Sequence, residues 1–204
     1  MMHLSPLPTR KMLALLLAAF LVCLSASQVT AAPGPVAIAH WSLDGNAKDS
    51  VGGYDGTLSD TGAAFVPGGV AGSSALSLDR SQGGLVSMGP VIDLAGISYT
   101  ISLWVKTSTT DRDAFVLTRH TAGNFTGYIL GINDNYGWGV DGKAWFFNYP
   151  SASVISSLTV NDGQWHHVVV VRAYPETVSL YVDGQFQAVS PDGNLSNPPP
   201  GTPL

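Results

Sequence analysis

The chain reads as an all-β protein whose antiparallel strands pack as two sheets. Three observations predict this. Apolar residues alternate with a period of two in short runs, as in 99–106, 165–172 and 178–182, which is the period of a strand and not of a helix. Asp162-Gly163 and Asp183-Gly184 sit beside two of those runs, and Asp-Gly supplies the two residues that tolerate positive φ in a type I′ hairpin turn. No amphipathic helical stretch is legible beyond residue 32, so the strands must pair antiparallel and bury their apolar faces sheet against sheet.

The N-terminus is of a different kind. Arg10 and Lys11 precede an uninterrupted apolar stretch of 13 residues, Met12–Leu24. A helix needs about 20 residues to cross a bilayer, so this length fits the apolar region of a signal peptide. Val29-Thr30-Ala31 places compact residues where a signal peptidase reads, which predicts a signal peptide over 1–31 cleaved after Ala31. Cys23 follows Phe20-Leu21-Val22 without the small residue a lipoprotein signal requires, and reads as an ordinary member of the apolar stretch. Residues 32–36 are then a short linker and 37–204 a single domain. The mature chain of 173 residues has no cysteine, and a domain of that size can bury a sufficient core without disulfides. Seven basic residues face fourteen acidic ones in it, with no basic run, which argues against nucleic acid or an anionic membrane surface as partner. No span of the mature chain is long and apolar enough to cross a membrane. The predicted location is secreted, periplasmic or on the cell surface.

Strands are predicted at 37–43, 75–78, 85–88, 99–106, 114–119, 128–132, 144–148, 165–172 and 178–182, with Gly-Gly pairs at 52–53, 68–69 and 83–84 in the turns between them. Ile101, Leu103 and Val105 share one face, and Trp104 points the other way. Trp165, His167, Val169 and Val171 oppose His166, Val168, Val170 and Arg172, while Val178, Leu180 and Val182 oppose Ser179 and Tyr181. A second face carrying Trp104, Val168, Val170 and Tyr181 is too apolar for an open sheet surface. Either loops cover it as a third layer or it lines a groove. Trp104 and Trp165, both inside strands, are expected to be buried.

Asp162-Gly-Gln-Trp-His-His-Val-Val-Val-Val-Arg172 followed by Val178-Ser-Leu-Tyr-Val-Asp-Gly-Gln185 resembles the hairpin of laminin G-like jelly rolls in the concanavalin A-like lectin and glucanase superfamily. His40–Leu58 resembles the opening strand and long loop of those domains, and Ser98–Lys106 their central strand. The resemblance implies a concanavalin A-like jelly-roll sandwich. It also implies a closing strand that pairs near the first, and the chain stops at Asn197-Pro-Pro-Pro-Gly-Thr-Pro-Leu204 where the next strand is expected. The closing strand or strands are therefore expected to be missing, leaving residues 37–43 short of one neighbour.

A fold that hosts many activities does not name one, so the residues must. Glucanases of this superfamily carry a Glu-x-Asp-x-x-Glu strand, and glycoside hydrolysis needs two carboxylates across the bond. Here the single glutamate, Glu176, lies in a Tyr-Pro-Glu-Thr turn, and Asp111 and Asp113 lie in a loop, so the chain is not expected to be an enzyme. His166 and His167 are adjacent in a strand and point to opposite faces, so they cannot share one metal ion. Asp44, Asn46 and Asp49, with Asp55 further on, gather hard oxygen donors in a glycine-rich loop of the kind that suits Ca²⁺. The alternative is that they are turn formers. The segment 132–143 joins two strands through a long loop in which Tyr136 and Trp138 can stack on sugar rings and Asn133, Asp134 and Asn135 can bond hydroxyls. The alternative is that Trp138 folds back over the sandwich edge. The reading is a non-catalytic, lectin-like carbohydrate-binding module of an exported protein, with ligand contacts at Asn133, Asn135, Tyr136 and Trp138. An extracellular adhesion or protein-interaction domain without a sugar site is the alternative, so the partner is a glycan or an extracellular protein.

Overall fold

Alternation decides the architecture. The computed structural model describes residues 34, 36–70, 72–89, 94–121, 126–133, 141–149, 152–192 and 204; the predicted signal peptide lies outside them. The strands are β1 (Thr57–Leu58), β2 (Ala63–Pro67), β3 (Ser74–Leu78), β4 (Val86–Ser87), β5 (Tyr99–Lys106), β6 (Ala114–Thr121), β7 (Thr126–Ile132), β8 (Lys143–Asn148), β9 (Ala152–Thr159), β10 (Trp165–Ala173), β11 (Thr177–Val182) and β12 (Gln185–Pro191). One short 3₁₀ turn, Arg80–Gln82, is capped by the Asp79 carboxylate, which accepts from Ser81 N–H. Two four-stranded antiparallel sheets, ordered β12-β11-β10-β5 and β6-β7-β8-β9, make the sandwich, and the pairs β1-β4 and β2-β3 flank it. This is the concanavalin A-like sandwich that the sequence implies.

The core lies between the two large sheets. From the first come Val168, Val170, Val178, Leu180 and Val182, and from the second Tyr128, Leu130, Ile132, Phe146 and Val154. The rings of Tyr99, Tyr128 and Phe146 run through it with centroid spacings of 6.5 and 6.1 Å, and burial holds the Tyr128 phenol pushed up to about 12. The outer side of β7 and β8 is also packed. Trp145 is buried there, its indole N–H donating to Asn133 O at 3.2 Å. The indole lies across Gly131, where a Cβ would come within 2.6 Å of the ring.

The two sheets meet along β9 and β12. Tyr181 pairs with Phe186 and Leu180 with Ala188, so Gln187 is an extra residue at a β-bulge. Its side-chain oxygen accepts from Ser157 N–H, Ser157 Oγ–H and Leu158 N–H at 3.0, 2.7 and 3.1 Å.

At the other end of β10, Arg172 is fully buried. Its guanidinium donates to Asp192 through Nε at 3.0 Å and lies 2.8 Å from the same carboxylate through Nη2. Nη1 donates to the carbonyls of Leu94 and Ile97, and Asn148 donates to the second Asp192 oxygen at 3.2 Å.

Three expectations change. Residues 37–43 form no strand. Trp41 makes an isolated bridge to Asp49, and the backbone of His40 is taken up by Asp49 Oδ1 and Ser50 N–H. Trp104 is not buried: it is 50 % exposed. It pairs with His167, while Val168 pairs with Leu103, so Trp104 shares its face with His167 and not with Val168 and Val170, which line the core. Trp165 is half-buried on that same outward side, its indole N–H reaching Gly68 O at 3.2 Å.

Removing one partner of the Arg172–Asp192 pair leaves a charge stranded in the interior, which costs about 3–5 kcal/mol. In urea melts, Arg172→Met should lose stability on that scale, and Arg172→Met/Asp192→Leu should recover part of it. A double variant no more stable than the single one would show that packing, not the stranded carboxylate, sets the loss.

Candidate functional site

The outward face of the β12-β11-β10-β5 sheet follows from the parity that builds the core. With Ile101, Leu103 and Val105 turned inward, Thr100, Ser102, Trp104 and Lys106 must project outward. Register then sets Trp104 beside His167, Ser102 beside Val169 and Val169 beside Tyr181. The bulge brings Phe186 opposite Tyr181. Trp104 stacks on His167 with ring centroids 4.9 Å apart and an interplanar angle of 22°, and His167 Nε2 lies 2.8 Å from Ser102 Oγ. Tyr181 and Phe186 meet edge to face at 5.7 Å. Phe186 and Val189 are 57 % and 54 % exposed. Among the described residues, the contact with Gly68 at Trp165 is the one place where a neighbouring hairpin is hydrogen-bonded onto this face. The face is an open platform of rings interleaved with hydroxyls and an imidazole.

His166, on the opposite side of β10, fixes one end of that platform. Its Nδ1 lies 2.8 Å from Asp183 Oδ2 and its Nε2 3.0 Å from Asp162 Oδ1. Asp183 also accepts the His167 N–H at 2.8 Å, so one carboxylate joins the two histidines and the β11–β12 turn. Desolvation works to lower the His166 pKa, but the two carboxylates outweigh it and raise it above 6.5. Asp162 is lowered by the Gln164 N–H and by His166. Asp183 is lowered by His166 and the His167 N–H against the opposing effect of desolvation.

The residues singled out from the sequence fare differently. Asn133 is 1 % exposed and adopts φ 56°. Its amide donates to the carbonyls of Thr109 and Asp111 at 3.0 Å each, and its oxygen accepts the Gly142 N–H at 2.5 Å. It therefore anchors the roots of its loop and offers nothing to a ligand, a correction to its expected role. Asn135, Tyr136 and Trp138 lie outside the described residues.

In the acidic loop, the Asp49 carboxylate accepts four backbone N–H groups, those of His40, Val51, Gly52 and Tyr54, at 2.8–3.0 Å. Desolvation raises its pKa, yet these bonds prevail and bring it to about 2. Asp44 accepts from Ser73 and Ser74, and Asn46 from the Lys48 N–H. Among the described residues no group of three or more His, Cys, Asp or Glu side chains could hold a metal ion. The donor set does not fit Ca²⁺, because the Asp49 oxygens are occupied by N–H donors. The sequence reading missed Trp104, His167 and Ser102 as a group. The signal was present in the polar company of Trp104 at Thr100, Ser102 and Lys106.

Residues 79–204 match a laminin G-type family described as the concanavalin A-like lectin/glucanases superfamily, and the chain belongs to it. No match is found among curated proteins. Among solved structures, domain 4 of AbnA, a GH43 extracellular arabinanase from Geobacillus stearothermophilus solved in complex with arabinotriose, superposes with a TM-score of 0.55 at 20 % identity, over 81 % of this chain and 87 % of that one. The binding domain of Paraclostridial Mosquitocidal Protein 1 gives 0.53 at 16 % identity, over 77 % of this chain and 39 % of that one. The botulinum neurotoxin serotype D binding domain gives 0.55 at 14 %, over 78 % and 40 %. The chain thus spans about two fifths of the length of the two toxin domains. At these identities the likeness shows the fold.

Two pH dependences follow. Because the folded His166 pKa is raised, its contribution to stability is complete below 6.5 and is lost as pH rises through the folded value. The melting temperature of the wild type should fall over that window and that of His166→Gln should stay flatter. Because the folded Asp49 pKa is lowered, its contribution is complete above 3.8 and disappears as pH falls toward about 2. In acid titrations followed by circular dichroism, Asp49→Asn should begin less stable at neutral pH and lose less across that range. Parallel curves for either variant and the wild type would count against the corresponding contacts.

Proposed function

We propose that this chain is a non-catalytic, lectin-like module of an exported protein that binds glycans through the outward face of the β12-β11-β10-β5 sheet. The observation that carries the reading is the half-exposed Trp104, braced on His167 and flanked by Ser102. A flat indole offers stacking area for the apolar face of a sugar ring, and the polar groups beside it can orient hydroxyls. The AbnA domain with a similar fold was solved with arabinotriose, which supports a carbohydrate as the ligand class. Asn135, Tyr136 and Trp138 form a second candidate contact on sequence grounds. No helix among the described residues is long and apolar enough to cross a membrane. Export, to the medium, periplasm or cell surface, rests on the signal-like sequence of residues 1–31.

One observation favours a second reading. Phe186 and Val189 add exposed apolar surface at the far edge of the same face, and such patches also mark protein contacts. A glycan array separates the two. The wild type should bind a defined set of glycans, and Trp104→Ala should weaken that binding about tenfold, the roughly 1.4 kcal/mol that a lost aromatic contact is worth, with an unchanged melting temperature. A wild type that binds no glycan yet captures a defined extracellular protein would make the second reading the correct one.

A further inference from the structure

We infer that the ligand of this face is an uncharged oligosaccharide lying across the strands, with one sugar position on Trp104 and a second on the Tyr181–Phe186 pair. The inference rests on the glycan-binding reading and names its site and ligand class. Trp104 stands on the edge strand β5 and Phe186 on the opposite edge strand β12. Three strand spacings separate them, about 14 Å in all, so a single sugar ring cannot cover both and a short chain can.

Each platform is held before any ligand arrives. His167 supports the indole at 4.9 Å, and Tyr181 meets Phe186 edge-on at 5.7 Å. Rings fixed in this way lose little further freedom on binding. The polar atoms are placed as well. Ser102 Oγ engages His167 Nε2, and Nδ1, which no described residue bonds, remains beside the indole as a hydrogen-bonding group.

Charge and area narrow the occupant. The outward positions Ser102, Trp104, Val169, Tyr181 and Phe186 carry no charge, and the strip is bounded by Asp183 beside His167 and by Lys106 next to Trp104 on β5. The two charges of opposite sign leave no net positive field along the strip for an acidic glycan. Four strands wide and about five residues long, the strip covers roughly 300 Å², against roughly 800 Å² per partner in a stable protein interface. A second copy of the chain or a globular partner needs more than about twice this surface.

The test uses the full secreted chain and calorimetry with neutral oligosaccharides of one to four residues, identified first on an array that also carries sialylated and sulfated glycans. Affinity should rise with chain length up to three residues. Trp104→Ala and Phe186→Ala should each weaken trisaccharide binding about tenfold, with Phe186→Ala leaving monosaccharide binding within twofold. Trp104→Tyr, which keeps a ring, should retain most of the affinity. Thermal melts confirm that each variant is folded. Trisaccharide binding unchanged in Trp104→Ala and Phe186→Ala but lost in Trp138→Ala would place the site on the loop, overturning this inference while leaving a glycan-binding module. Binding confined to anionic glycans would also overturn it. A wild type that binds no glycan would overturn both this inference and the reading beneath it.

Discussion

A single guanidinium holds the ends of this sandwich together. Arg172 occupies a core-facing position of β10, where parity demands an apolar side chain, and it is tolerable there because its donors are engaged by Asp192 and by the Leu94 and Ile97 carbonyls. Those partners come from the approach to β5 and from the residue just after β12, and Asn148 brings in β8. The cation also lies over the rings of Tyr99 and Tyr174 at 5.8 and 4.8 Å, so its planar face is used as well as its edge. A hydrophobic residue of similar size could match its packing, but it could not fix four separate segments in one register.

Fixing the core face of β10 also fixes the opposite one. Because successive side chains alternate, His167, Val169 and Val171 have no freedom to be anywhere but outward once Val168, Val170 and Arg172 are buried. A candidate site on such a face takes its precision from the core beneath it. Its groups are placed by two neighbouring strands and not by a loop that must order on binding.

The parts legible in the sequence are those where local alternation is strong. The bounds of β5, and those of β10 and β11 to within a residue, could be read directly from Tyr99–Lys106 and the two Asp-Gly turns. β9, Ala-Ser-Val-Ile-Ser-Ser-Leu-Thr, and β12, Gln-Phe-Gln-Ala-Val-Ser-Pro, were missed because serine and glutamine mask their period. Each is an edge strand that needs only one buried row. The error over Trp104 is of another kind. Parity within a strand is local, but the register that sets Trp104 against His167 is a long-range fact that alternation alone does not contain. Asn133 was misread for a related reason. An asparagine at a strand end can bond a ligand or accept a left-handed turn, and only the carbonyls of Thr109 and Asp111, distant in sequence, decide between them. Asp49 shows the same ambiguity, since a carboxylate in a glycine-rich loop serves equally as an ion ligand or as an acceptor for backbone N–H groups.

The bulge at Gln187 ties two properties to one backbone irregularity. The extra residue lets the Gln187 amide turn sideways onto β9, and the same shift sets Phe186 outward opposite Tyr181. Deleting one residue of this hairpin would unzip the seam between the sheets and rotate Phe186 off the platform in the same step. Descendants of this gene could therefore change the far end of the platform readily by replacing the Phe186 side chain. A change in hairpin length would instead act on both at once, because the same bulge carries the Gln187 contacts to β9.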